Sequence, residues 1–197
     1  MMKFNMLTAG LLLATIAAPA AAVDSVFKAD LNGASESPPN DSKGTGTATI
    51  TINKEQGTMH VHESFSGLSG GNTASHIHCC TADPGTGTAG VATTLPTFTD
   101  FPSGVTMGTY DHTFDMLKDT SYNPAFISGH GGTANSAFAA LTAGLDAHTA
   151  YANIHTEKFS NGEIRGFLTP AIPEPETYAM FLAGLGVMGA LVRRRRN

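Results

Sequence analysis

Apolar and polar residues alternate in five stretches of the chain: "SVFKADL" from Ser25, "TATITI" from Thr47, "TMHVHESF" from Thr58, "GTYDHTF" from Gly108 and "YANIHT" from Tyr151. A period of two sends successive side chains to opposite faces, so each stretch predicts a strand with one face buried. Clusters of Gly, Asn, Asp and Pro separate the stretches, the punctuation expected of antiparallel strands joined by turns. In "TMHVHESF", Met59, Val61 and Phe65 share the inward face, while His60, His62 and Ser64 face solvent. One segment changes period: "NSAFAALTAGL" predicts a short helix with Ser136 as N-cap and Gly144 as its stop. Many short strands with one helical insertion predict an all-β, antiparallel sandwich or barrel.

The ends obey different rules. "MMKFNMLTAGLLLATIAAPAAAVDS" carries Lys3, an apolar run from Met6 to Ala18 and the small-residue site Ala20-Ala21-Ala22. That layout predicts a secretory signal peptide over residues 1–22, cleaved before Val23. At the other end, Tyr178 to Val192 holds no charge. As a helix this segment rises roughly 22 Å, less than the ~30 Å of a hydrocarbon core, so it would span only with bilayer thinning. Arg193, Arg194, Arg195 and Arg196 follow it and would stay cytoplasmic, leaving the preceding Pro-Glu motif outside. The reading is a transient association of residues 178–192 with the inner membrane.

Between the ends, residues 23–172 are about enough for one domain with its own core. Setting aside Lys3, the four terminal arginines, Glu174 and Glu176 leaves six basic and fourteen acidic residues, a balance near −8. An acidic surface argues against nucleic acid or anionic lipid as a partner. The loops "GASESPPNDSKGTGT" and "TADPGTGTAG" are rich in turn formers but lack the lysine followed by Ser or Thr of a phosphate-binding loop. "SGHGG" is no nucleophile elbow either, and no paired carboxylates stand at a defined spacing. Cys79 and Cys80 are adjacent; an oxidising compartment leaves a disulfide between them, a bond to another chain and metal ligation all open.

The chemistry concentrates in "ASHIHCC" and "YANIHTEKFSNGEIRGFL". His76 and His78, two apart on a strand, project from one face roughly 7 Å apart at the backbone. His155 lies in a strand-like run that could pair alongside. Two imidazoles from one strand and a third from another could hold copper or zinc. The simpler reading is a structural polar network, with Asn153, Glu163 and Arg165 as partners from a hairpin turning at Asn161-Gly162.

Two resemblances add to this. Pro173-Glu174-Pro175, the short helix and the terminal arginines resemble the PEP-CTERM sorting signal over residues 173–197. That resemblance implies processing by an exosortase in the inner membrane of a Gram-negative bacterium, and delivery to the envelope, surface or matrix, often where exopolysaccharide is made. "FKADLNGASESPPN", "FSGLSG", "HIH", "LTAGLDAHTAYANIHT" and "GEIRGFL", in that order, resemble the CHRD family, named after chordin. The family implies an immunoglobulin-like β-sandwich or barrel with limited similarity to Cu/Zn superoxide dismutases, and no general activity.

His76-Ile77-His78 looks like the paired copper histidines of those dismutases, and His155 follows from the family's second histidine motif. The zinc-loop pattern is missing: only His112, His130 and His148 lie between His78 and Tyr151. The expectation is therefore an exported structural or interaction protein that binds exopolysaccharide or matrix proteins. The alternative is a copper- or zinc-binding protein with a dismutase-like, redox-active site.

Overall fold

A computed structural model describes residues 24–171 and 175–196; the expected signal peptide and two residues of the sorting motif, Pro173 and Glu174, lie outside the described residues. All five alternating stretches are strands. They are β1 (Ser25–Asn32), β2 (Thr45–Asn53), β3 (Thr58–Ser66), β5 (Gly108–Asp115) and β6 (Tyr151–Thr156). Three more strands join them: β4 (Asn72–His78), β7 (Ile164–Phe167) and the two-residue β8 (Thr169–Pro170). Every pairing is antiparallel, in the order β4-β6-β7-β1-β2-β3-β5, with β8 also on β1. The strands form one continuous curled sheet, a half-barrel, and not two separate layers; among the described residues no pairing joins β4 to β5.

The concave face carries the core. Phe27 and Leu31 of β1, Ile50 and Ile52 of β2, Met59 and Val61 of β3, Ile77 of β4, Ile154 of β6 and Ile164 of β7 are all buried. The outer faces of β1, β2, β3 and β5 are polar and half-buried or exposed, as alternation requires. The β4–β6–β7 side behaves differently, for its strands are buried on both faces. Loops after β1 and β4 fold over the outer face there, as shown by the contacts of Ala89, Pro96 and Ser35 with His78, His76 and Arg165.

Period two also explains the charge at the centre of the core. Glu63 is in phase with Val61 and Phe65, so it points inward and is fully buried. Its Oε2 accepts a hydrogen bond from Ser75 Oγ at 2.7 Å, tying β3 to the middle of β4 across the core.

Two helices, not one, follow β5. The first, α1 (Pro124–Gly129), was not legible as a period; Asn123 caps it by accepting from Ala125 N, and Pro124 occupies its first turn. The second, α2 (Ala134–Asp146), is the expected helix shifted at both ends. Its N-cap is Thr133, in a reciprocal capping box with Ser136, and Gly144 lies inside it. Glycine is required at 144 by packing, because a Cβ there would collide with the sulfurs of Cys79 and Cys80. The last helix, α3 (Pro175–Arg196), covers the expected apolar tail, and its Phe181, Leu182, Leu185, Val187, Met188 and Val192 are exposed. Among the described residues no helix is long and apolar enough to cross a membrane.

The sheet's closest approach supplies a test. A Cβ on Gly166 of β7 would collide with the backbone carbonyl of Asp30 in β1, whereas one on Gly90 would meet open space. Gly166→Ala is expected to cost about 1–3 kcal/mol in denaturant unfolding, with Gly90→Ala within about 0.5 kcal/mol of wild type.

Candidate functional site: a cluster of three histidines

Strand register brings the three expected histidines together. Ala74 pairs with His155, His76 with Asn153 and His78 with Tyr151, so all three imidazoles rise from the outer face of the β4–β6 pair, opposite Ile77 and Ile154. Their ring centroids stand 5.4 Å apart for His76–His155, 5.9 Å for His78–His155 and 6.0 Å for His76–His78. One ring nitrogen from each lies within 4.8 Å of the other two.

The far nitrogen of each ring is tied to a backbone carbonyl. Nε2 of His76 meets Pro96 O at 2.7 Å, Nδ1 of His78 meets Ala89 O at 2.9 Å, and Nδ1 of His155 meets Ser160 O at 3.0 Å. A carbonyl can only accept, so each of these nitrogens carries the proton. Burial pushes His76 and His78 down to about 4, assisted by the neighbouring histidines, and His155 is lowered by burial as well. All three are therefore neutral at ordinary pH. Nδ1 of His76 and Nε2 of His78 and His155 remain as bare lone pairs, each buried and each without a hydrogen-bond partner.

Asn153, Glu163 and Arg165 are held in two separate polar sets, and the hydrogen bonds of neither set reach the histidines. Glu163 accepts from Ser42 Oγ, Ser69 N, Ser69 Oγ and Thr156 Oγ1, all at 2.6 Å. Burial raises its pKa, and these bonds together outweigh that effect and hold it below the usual carboxylate range. Arg165 donates to Ser35 O and to Gly87 O, and sits 3.9 Å from Glu36. Asn153 Nδ2 also reaches Glu36, at 3.4 Å. The Arg165 guanidinium lies 4.7 Å over the Tyr151 ring, which also stacks on His78 at 4.7 Å and 6°. Glu36, Arg165, Tyr151 and His78 thus form a buttress that fixes one ring of the trio.

Cys79 and Cys80, directly after His78, are bonded to each other, so their sulfurs are not free ligands. The cluster's donor set is three neutral imidazoles, a set that suits copper or zinc and offers nothing to magnesium or calcium. His60 and His62 face solvent as expected, with one addition: Asp111 binds both, at 3.0 Å each. Hydrogen bonds from these two imidazoles hold the Asp111 carboxyl below its ordinary range. In the tail, Pro175 opens α3, Arg193, Arg194 and Arg195 are exposed, and Arg196 is its last residue.

Sequence reasoning missed Glu36, Glu63 and the buttressing role of Tyr151. Glu63 carried a signal, its phase in "TMHVHESF"; Glu36 sits in a proline-rich loop and carried none. Against known proteins, a family model described as the CHRD domain matches residues 27–168. A second, described as the PEP-CTERM protein-sorting motif, matches residues 171–196. No curated protein and no solved structure matches the chain.

The buried carboxyl that anchors the histidine strand provides a pH test. Burial pushes Glu63 from near 4.5 up to about 7, against the hydrogen bond from Ser75. A group with a raised folded pKa stabilises the fold below its unfolded value and loses that contribution as pH rises through the folded value. Glu63→Gln cannot titrate. Between pH 5 and pH 8 this variant is expected to gain on wild type by roughly 1–3 kcal/mol in denaturant unfolding; a gap that does not move with pH contradicts the buried carboxyl.

Proposed function

Because the chain belongs to the CHRD domain family, with a sorting motif directly behind the domain, we propose that it is an exported structural or interaction module of the cell surface or extracellular matrix. The PEP-CTERM motif implies export and processing by an exosortase-type enzyme at the envelope of a Gram-negative bacterium. One observation carries the reading: the domain match ends at residue 168 and the sorting match begins at 171, so the folded body and its address label abut.

The rest of the chain agrees with that order. Phe181, Leu182, Leu185, Val187, Met188 and Val192 of α3 are exposed rather than packed into a core, as a tail handled by another protein requires. Among the described residues no helix is long and apolar enough to cross a membrane. An open groove along β1, β2, β3 and β5 is lined by Asp30, Asn32, Thr47 and Ser64 together with the apolar Phe65 and Met107. Hydroxyls and amides with few cations suit exopolysaccharide or a matrix protein better than a polyanion. The immunoglobulin-like plan implied by the family belongs to this proposal and rests on the family match.

Processing can be read by mass. Intact mass spectrometry of protein recovered from the native cell surface is expected to show a chain starting at Val23 and lacking Arg193 to Arg196. A mature chain that keeps both ends contradicts the proposal. Replacing Arg193 to Arg196 by Ser is expected to leave unprocessed chain in the membrane fraction, detected by immunoblot; normal processing of that variant would remove the arginines from the mechanism.

A further inference from the structure

We propose that His76, His78 and His155 bind one copper ion, through Nδ1 of His76 and Nε2 of His78 and His155. Three buried lone pairs converge, with no donor supplied by the protein. A single water has two hydrogens, so it would leave one of the three lone pairs unmet. Protonating a ring is resisted by burial and by the neighbouring imidazoles. A cation is the one small species that accepts all three lone pairs at once.

The dimensions agree. A point equidistant from the three ring centroids, given their separations of 5.4, 5.9 and 6.0 Å, lies about 3.3 Å from each. That equals the distance from a ring's centre to its nitrogen plus a bond of about 2.0–2.1 Å. The surroundings agree as well. Each ligating imidazole donates its other N–H to a backbone carbonyl, Pro96, Ala89 or Ser160, which fixes tautomer and orientation as the outer shell of a metal site does. Two separate loops supply these carbonyls, and Tyr151 clamps His78 from the side.

Among the described residues the cluster has three ligands, too few for a structural zinc site, which takes four, although an open zinc site is built from the same three imidazoles. Copper is favoured over zinc by affinity. For a nitrogen set of fixed geometry, divalent copper binds more tightly than zinc. This inference is independent of how the tail is processed, since all its residues lie in the folded body.

The test uses the full, untagged chain, stripped with a chelator and titrated separately with Cu2+ and Zn2+. Expected are one copper per chain by inductively coupled plasma mass spectrometry, nitrogen hyperfine structure in the electron paramagnetic resonance spectrum, and a Tm raised by about 5–10 °C in excess copper. His76→Gln and His155→Asn, checked for folding by circular dichroism, are expected to weaken copper binding at least ~100-fold. His62→Ala, on the exposed face, is expected to bind as wild type. The proposal is overturned by substoichiometric copper, by zinc binding more tightly than copper, or by binding that survives in His76→Gln but fails in His62→Ala. If the buried variants do not fold, X-ray absorption of copper-loaded wild type decides: three imidazoles about the metal support the site, and one or none overturns it.

Discussion

Covering the outer face of β4 and β6 is the constraint from which the rest follows. A strand with one wet face can leave histidines to water; a strand buried on both sides cannot. Once the loops after β1 and β4 close over that face, each imidazole must find a protein partner for its N–H. Pro96, Ala89 and Ser160 supply one each. The carbonyls thereby choose the tautomers, and the tautomers aim three lone pairs at a common point.

Burial shapes the other polar groups on that side in the same way. Arg165, almost fully enclosed, is held by two carbonyls, by Glu36 and by the face of Tyr151. Four donors converge on Glu163. Glu63 has a single donor, Ser75, and its pKa rises accordingly. Glu163 meets four donors where Glu63 meets one and lies deeper, and the two differences together decide which carboxyl remains ionised. The histidine trio lacks any such donor at its centre, and its three ring nitrogens are left unmet side by side.

β1, β2, β3 and β5 were legible because one wet face imposes alternation; β6, buried on both faces, alternates only because its outer face carries Asn153 and His155, and the doubly buried β4 and β7 read less clearly. Helix α2 was visible through its apolar residues, yet its ends were misplaced. Thr133 was passed over for Ser136, which turns out to be its partner in the capping box. Gly144 acts as a space for the disulfide, a tertiary reason that no local pattern contains. The histidine set was anticipated from spacing and family likeness. Its partners were not, because Pro96, Ala89 and Ser160 contribute backbone atoms, which leave no mark on residue identity. The curled single sheet also lay beyond reach, since alternation fixes a strand's faces but not its neighbours.

A compact acidic body, a site of neutral imidazoles and a separately addressed tail make a consistent export product, in which the address and the chemistry occupy different residues. The central claim is the protonation pattern of the trio, and long-range proton–nitrogen correlation NMR of the metal-free chain at pH 7 reads it directly. The account predicts three neutral rings, with the proton on Nε2 of His76 and on Nδ1 of His78 and His155. A charged imidazolium in the trio, or a reversed tautomer at any of the three, would contradict it.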